Sequence, residues 1–226
     1  IKAQELEGLN QLSLKYDKVS TQVAYATRIS GALLSLLFFE KLENNEINFL
    51  SESSSDFIEG LSQDYKVLVN NGVMPNQIFM LLFSESINQS ITSSAGASYE
   101  DRIKNILVGI GLPLKDIQKT HDKNDISTEF DFLFTYAGKR YGIGAKRTLR
   151  ERYKQFIKTS YMSQLDVMIE ITLGTDLREN MAKSIRNHGV YLFVADEVFN
   201  QKGFLQKIEG IYPASILSLE LLRNIK

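Results

Sequence analysis

The chain has 226 residues, with 26 Lys and Arg against 27 Asp and Glu for a formal net charge of -1, and it has no cysteine. That length suits one large domain or a domain with a substantial helical part; the missing cysteines exclude disulfides and zinc-thiolate sites and fit a reducing cytoplasm. The balanced charge gives no global field for nucleic acid, so such a partner has to be engaged by a local patch. No apolar run approaches a membrane span, because Gly31 to Phe39 is far too short. No leader pattern opens the chain, and Ile1 in place of an initiator Met marks it as trimmed or a fragment.

From the N-terminus, residues 1 to 45 read as helices: Leu6, Leu9, Leu12 and Leu14 begin an apolar stripe, and Val19 to Leu42 carry another. Leu33 to Phe39 is apolar nearly all round, which suits a core position over a surface packed on a partner. A polar, serine-rich stretch from Asn44 to Ser55 leads to a helix from Asp56 to Val69, closed by Asn70-Asn71-Gly72. Pro75 opens the next helix at an allowed first-turn position, with Phe79, Leu82, Phe83 and Ile87 as its core face. Small residues from Ser93 to Ser98 interrupt it. Tyr99 to Ile110 forms a further helix, ended by Gly111 and stopped by Pro113, with Glu100 in its first turn, where the helix dipole favours an acid. Lys115 to Thr128 is charged and without period, and reads as a loop.

Phe130, Phe132 and Phe134 alternate with Asp131 and Leu133 as a strand; Ala137-Gly138-Lys139 signals a hairpin turn, and Arg140 to Ala145 is a second strand ending at Lys146. Antiparallel pairing sets Asp131 beside Lys146. A carboxylate there can hold a hard cation, and an ammonium can orient a water or steady a phosphate. A helix begins near Thr148, with Leu149, Tyr153, Phe156 and Ile157 as its apolar stripe. From Lys139 to Lys158 eight basic residues stand against one acid, Glu151, a pattern equally fit for phosphates or for a solvated helix face. Gly142-Ile143-Gly144 is half of a dinucleotide-binding fingerprint, without its third glycine.

Leu165 to Leu173 runs apolar around Asp166 and Glu170, a central strand carrying two acids. Gly174-Thr175-Asp176 caps the next helix, Leu177 to Asn187, which ends at Gly189, and Val190 to Ala195 is another buried strand. Strand, helix, strand implies a parallel right-handed unit. Phe204 to Ile208 and Ser215 to Ile225 read as helical, and the two histidines, His121 and His188, read as surface residues.

The run from Glu129 to Gln155 resembles the PD-(D/E)XK nucleases, and within them the EcoRII-like, CCGG-cutting branch of type II restriction endonucleases. Asp131 and Gly144-Ala145-Lys146 stand in the places of that family's strand Asp and its acidic-x-Lys triplet. Lys146 to Gln155 is similar to the branch's Lys-to-Gln run, with Arg150-Glu151-Arg152 where the branch has an Arg-(Asp/Glu)-Arg triplet that reads neighbouring G:C pairs. The resemblance covers roughly residues 93 to 195. It implies an α/β fold, a restriction-endonuclease-like mixed β-sheet flanked by helices, with a helical N-terminal part over 1–92 and the catalytic core over 93–226. It also implies Mg2+-dependent hydrolysis of double-stranded DNA at a site containing CC/GG, a homodimer matching a palindromic site, no membrane, and a prokaryotic cytoplasm.

In that resemblance Asp131 and the upstream Glu100 hold the metal, Lys146 serves the attacking water or the phosphate, and Gly144 stands where an acid is expected. Arg147, Arg150, Glu151, Arg152, Lys154 and Gln155 face DNA. Arginine can donate to guanine O6 and N7 together, and a carboxylate can accept from cytosine N4, so the triplet can read two adjacent G:C pairs from one helix end. Gly144 departs from the pattern. Branch members without an acid there use a Glu in the following helix, a place held here by Thr159. Three explanations stand: an inactivating substitution, a ligand recruited from Glu100, Asp166 or Glu170, or a nuclease fold that binds DNA sequence-specifically without cutting it.

Overall fold

The computed structural model describes residues 6–22, 67–68, 70–74, 77, 98–119, 130–150, 153–154, 157–158 and 164–225. Contacts divide the chain into two compact units, Ile1–Ser20 with Ala95–Lys226, and Thr21–Ser94. In the second unit the described residues include the end of a helix near residue 70. There the Val73 N–H reaches back to the Leu68 carbonyl at 3.1 Å and Gly72 takes φ +83°, the left-handed exit that Asn70-Asn71-Gly72 announces. The helices expected over Leu33 to Phe39 and Phe79 to Ile87 lie outside the described residues.

The first unit is built on a six-stranded mixed sheet in sequential order. Its strands are β1 (Gln118–Lys119), β2 (Phe132–Tyr136), β3 (Lys139–Lys146), β4 (Val167–Thr172), β5 (Val190–Val194) and β6 (Ile211–Pro213). β1, β2 and β3 pair antiparallel, and β3 through β6 run parallel. The β2–β3 hairpin turns on two residues with positive φ, Ala137 at 50° and Gly138 at 78°, the handedness that matches strand twist. Between β4 and β5 the helix Glu179–Asn187 supplies the parallel crossover.

Alternation sorts the sheet's side chains onto two faces. Phe132, Phe134, Tyr141, Ile143, Val167, Ile169 and Ile171 pack with Tyr99, Ile103 and Leu107 of the helix at 98–109 and with Leu222 of the helix Leu219–Asn224. On the other face Val190, Leu192 and Val194 pack with Ala182 and Ile185 of the crossover helix, together with Phe130, Leu149 and Leu177. Each large apolar side chain buried in this way contributes about 1.5–3 kcal/mol over leaving it in water.

Gly142 and Gly144 both lie inside β3, in register with Leu133 and Glu170, so neither sits in the strand-to-helix turn that a dinucleotide site needs. Close packing explains the first: a Cβ on Gly142 would collide with Leu165 Cδ1 and come within 2.9 Å of the Phe130 ring. Gly142→Ala is expected to cost about 1–3 kcal/mol by overpacking. A thermal scan checks it, and an unchanged melting temperature would show that Leu165 and Phe130 simply move aside.

Several elements differ from the sequence reading. Within the stretch read as a loop from Lys115, Leu114–Asp116 is a 3-10 turn and Gln118–Lys119 is the edge strand β1. The helix expected from near Thr148 is entered later, because Arg150 is held at φ +43° and the described helical residues begin at Tyr153. The helix after β4 starts at Glu179 with Arg178 as its N-cap, and Asp176 does not cap it. β6 and the helix Asp196–Gln201 carried no clear periodic signal, and Phe204 to Ile208 contains a 3-10 turn, Leu205–Lys207. Ser215 to Ile225 breaks in two because Ser218 is extended and its hydroxyl takes the Leu221 N–H, capping the last helix. No helix among the described residues is long and apolar enough to cross a membrane.

Candidate active site

The hairpin delivers Asp131 and Lys146 to the same end of the sheet. Just before β2 the backbone leaves the ladder: the Asp131 N–H donates to the Ile143 carbonyl at 2.9 Å, and the Asp131 side chain becomes the next acceptor, taking the Ala145 N–H through Oδ2 at 2.6 Å. Lys146 Nζ then donates to both carboxylate oxygens, at 2.9 Å to Oδ1 and 2.8 Å to Oδ2. Asp131 is 5% exposed, so this ammonium–carboxylate pair is shielded on the carboxylate side and strengthened by it.

Glu170 of β4 is the direct register partner of Gly144. By strand alternation Glu170, Gly144 and Lys146 share one face, and the glycine leaves the place between the acid and its neighbours without a side chain. Glu170 is 1% exposed. The other two acids singled out by sequence go elsewhere. Asp166 lies at the far end of β4, where its Oδ2 accepts the Arg140 N–H at 2.7 Å. Glu100, on the helix at 98–109, pairs with Lys119 of β1 at 2.9 Å. That hydrogen bond is the main reason the Lys119 ammonium is pushed above its ordinary value, and the Asp131 charge adds to it more weakly.

Among the described residues no group of three or more His, Cys, Asp and Glu side chains could hold an ion together. Magnesium does not require one. It is commonly held by one or two carboxylates, with waters and substrate phosphate filling the other positions, and it prefers oxygen donors of the kind Asp131 and Glu170 offer. The donor set therefore fits that ion.

The basic residues divide by what they hold. Arg147, next after Lys146, binds Asp17 fork to fork: Nε to Oδ1 at 3.0 Å and Nη2 to Oδ2 at 2.6 Å. Arg102 joins from the helix at 98–109, Nη2 to Asp17 Oδ1 at 2.7 Å, with its guanidinium over the rings of Tyr16 and Tyr99. Asp17 ties its own helical segment to the helix at 98–109 and to the end of β3, and sequence reasoning missed it because its partners are 85 and 130 positions away. Lys139 donates to the Ile225 carbonyl. Arg150 is exposed, and its positive φ costs about 1–2 kcal/mol; its N–H is taken by Asp176 Oδ2 at 2.6 Å. Lys154 is exposed, with Nζ 5.9 Å from the Tyr153 ring centroid. Glu151, Arg152, Gln155, Thr159 and His121 lie outside the described residues. His188 closes the crossover helix, its Nδ1 2.6 Å from the Ser184 carbonyl.

No known protein-family description matches the chain. Among solved structures, metal-depleted Ecl18kI in complex with uncleaved DNA aligns with a TM-score of 0.63 at 15% identity, over 99% of this chain and 71% of that one. Ecl18kI in complex with uncleaved, modified DNA gives 0.63 at 16% identity over the same shares. The complex of restriction endonuclease PspGI with substrate DNA gives 0.50 at 14% identity, over 88% of this chain and 92% of that one. At these identities the likeness is one of fold, and the fold is restriction-endonuclease-like. In sequence the chain is 62% identical over 109 residues to a protein of Dactylococcopsis salina named "Uncharacterized protein in DsaVM 5'region", a match spanning 48% of this chain and 92% of that protein. The chain belongs to the family of that DsaVM 5'-region protein.

Proposed function

We propose that the chain is a type II restriction endonuclease, hydrolysing phosphodiester bonds of double-stranded DNA with magnesium at a site containing CC/GG. The observation that carries this reading is the Lys146 ammonium set 2.8 Å from a shielded Asp131 carboxylate where two paired strands end. Support comes from the fold, whose solved likenesses include proteins in complex with DNA. Asp131 and Glu170 would hold the ion, while Glu100 stays paired with Lys119. Bound there, magnesium would polarise the scissile phosphate and ease ionisation of a water.

The chain's own residues do the remaining work. Lys146 steadies charge on the phosphate or orients the water, and its bond to Asp131 keeps the ammonium at the sheet end. The exposed Arg150, with Glu151 and Arg152, reads base edges in the major groove, and Lys154 meets backbone phosphate. Arg147 serves the site from its place on Asp17. A palindromic site asks for two copies related by a two-fold axis, hence a homodimer on DNA in a prokaryotic cytoplasm.

The test is incubation of the purified chain and its Glu170→Gln variant with mixed-sequence duplex DNA and magnesium, followed by sequencing of fragment ends. Discrete ends at one CC/GG-containing site from the wild type, reduced on the order of a hundredfold or more in the variant, are the expected result. Equal cutting by both would remove Glu170 from the site. Site-specific retention without products from the wild type would mean binding without cleavage, and neither retention nor cutting would end the restriction reading.

A further inference from the structure

The segment that leaves β3 is stitched to the loop that leaves β4. Lys146 pairs with Thr172 in the ladder, and the Thr172 hydroxyl then reaches the Arg147 carbonyl at 3.3 Å. Three residues on, Arg150 takes φ +43°, a conformation that residues with a side chain rarely adopt. Its N–H points at Asp176 Oδ2, 2.6 Å away, a charge-assisted bond at the short end of its range. Asp176 stands in the place of a helix cap, yet the helix that follows begins beyond it with Arg178 as N-cap. Its second oxygen, Oδ1, is buried without a hydrogen-bond partner among the described residues. Among them the Arg150 amide is therefore the one hydrogen bond this carboxylate makes.

The loop that carries Asp176 is itself held from behind. Lys202 Nζ donates to the carbonyls of Gly174, Thr175 and Leu177 at 3.0, 2.8 and 2.7 Å. All three bonds end on backbone within two residues of Asp176, so the carboxylate is presented from a fixed frame. Among the described residues no comparable hydrogen bond holds the backbone of Arg150 from the side of its own strand.

We infer that Asp176 is the positioning residue of base readout: by holding the Arg150 amide it fixes the left-handed turn at Arg150 and so sets where this arginine meets a base edge. This rests on the readout role assigned to the triplet above. Asp176 touches no base. Its loss leaves the general attraction to phosphate in place, while Arg150 loses the geometry that distinguishes one base pair from another.

The experiment uses the full chain, with Asp176→Ala and Asp176→Asn variants, and a duplex pool with a randomised core. Binding is read without divalent cation by sequencing the retained duplexes, alongside the affinity for the unselected pool. The wild type enriches one site. Asp176→Ala is expected to lower that enrichment about tenfold at unchanged affinity for the unselected pool, the scale of one misplaced bidentate contact. Asp176→Asn keeps an acceptor oxygen and is expected to retain most of the enrichment. Selectivity in Asp176→Ala equal to wild type overturns the assignment while leaving the triplet's role intact. A wild type that enriches nothing overturns both. Should Asp176→Ala fail to fold, hydrogen exchange of the Arg150 amide in the wild-type chain decides: protection is expected, and exchange at the rate of an open amide overturns the proposal.

Discussion

Replacing Lys146 with alanine is expected to slow cleavage by on the order of a hundred- to a thousandfold while divalent-cation binding persists or tightens. Both oxygens of Asp131 accept from Lys146 Nζ, at 2.9 and 2.8 Å, and Oδ2 also accepts the Ala145 N–H. An ion approaching that carboxylate competes with the ammonium for the same lone pairs, so removing the ammonium opens coordination positions and removes a repelling charge. The scissile phosphate meanwhile loses a donor that strengthens as charge develops. Single-turnover cleavage paired with terbium luminescence reads the two effects separately, and Asp131→Asn should lose both. Parallel loss of binding and cleavage in Lys146→Ala would reduce the lysine to a structural role, and unimpaired cleavage would take it out of the chemistry.

The second large effect belongs to Asp17. Burial pushes its carboxyl up, but hydrogen bonds from Arg147 and Arg102, with their charges, outweigh that and hold it below the ordinary 3.8. A group whose value is lowered by folding stabilises the native state fully above its unfolded value, and the contribution disappears as pH falls through the lower, folded one. Acid unfolding of the wild type below about pH 4 therefore contains an Asp17 component that Asp17→Asn lacks. At neutral pH Asp17→Ala leaves the Arg102 charge, whose side chain is 6% exposed, with only the Ser98 and Gln11 carbonyls and no carboxylate, and should cost about 3–5 kcal/mol in a urea titration. Identical denaturation midpoints for wild type and Asp17→Ala would mean that water replaces the carboxylate at no cost.

The hairpin was legible because Phe132 and Phe134 alternate with Leu133 and because Gly138 accepts positive φ in the turn, although Phe130 lies before β2 and packs on the opposite face. β4 and β5 were legible as apolar runs, and the mixed α/β architecture follows from their order. Choosing among Glu100, Asp166 and Glu170 was beyond the sequence, since Asp166 and Glu170 sit in one apolar run. Register decides which of them faces Gly144. Asp176 misled for a related reason: a residue type that favours helix caps stands two positions before the N-cap, where a separate chain segment uses its carboxylate. The Asp17 cluster draws on three distant segments, and nothing local marks it. β1 and β6 were missed because two and three residues are too few to show a period.

Those same short strands bound the sheet. One margin is the two-residue β1 and the other the three-residue β6, whose last residue, Pro213, has no N–H to donate. Among the described residues a second copy of the chain would find little open ladder on either side to extend. The two-fold pairing proposed above would then rest on side chains of helices and loops, with no sheet growing outward from one molecule to the next. Under that proposal, exposed residues would tighten or loosen such pairing without touching the strands that hold Asp131 and Lys146, so partner choice and bond cleavage would be left to change independently.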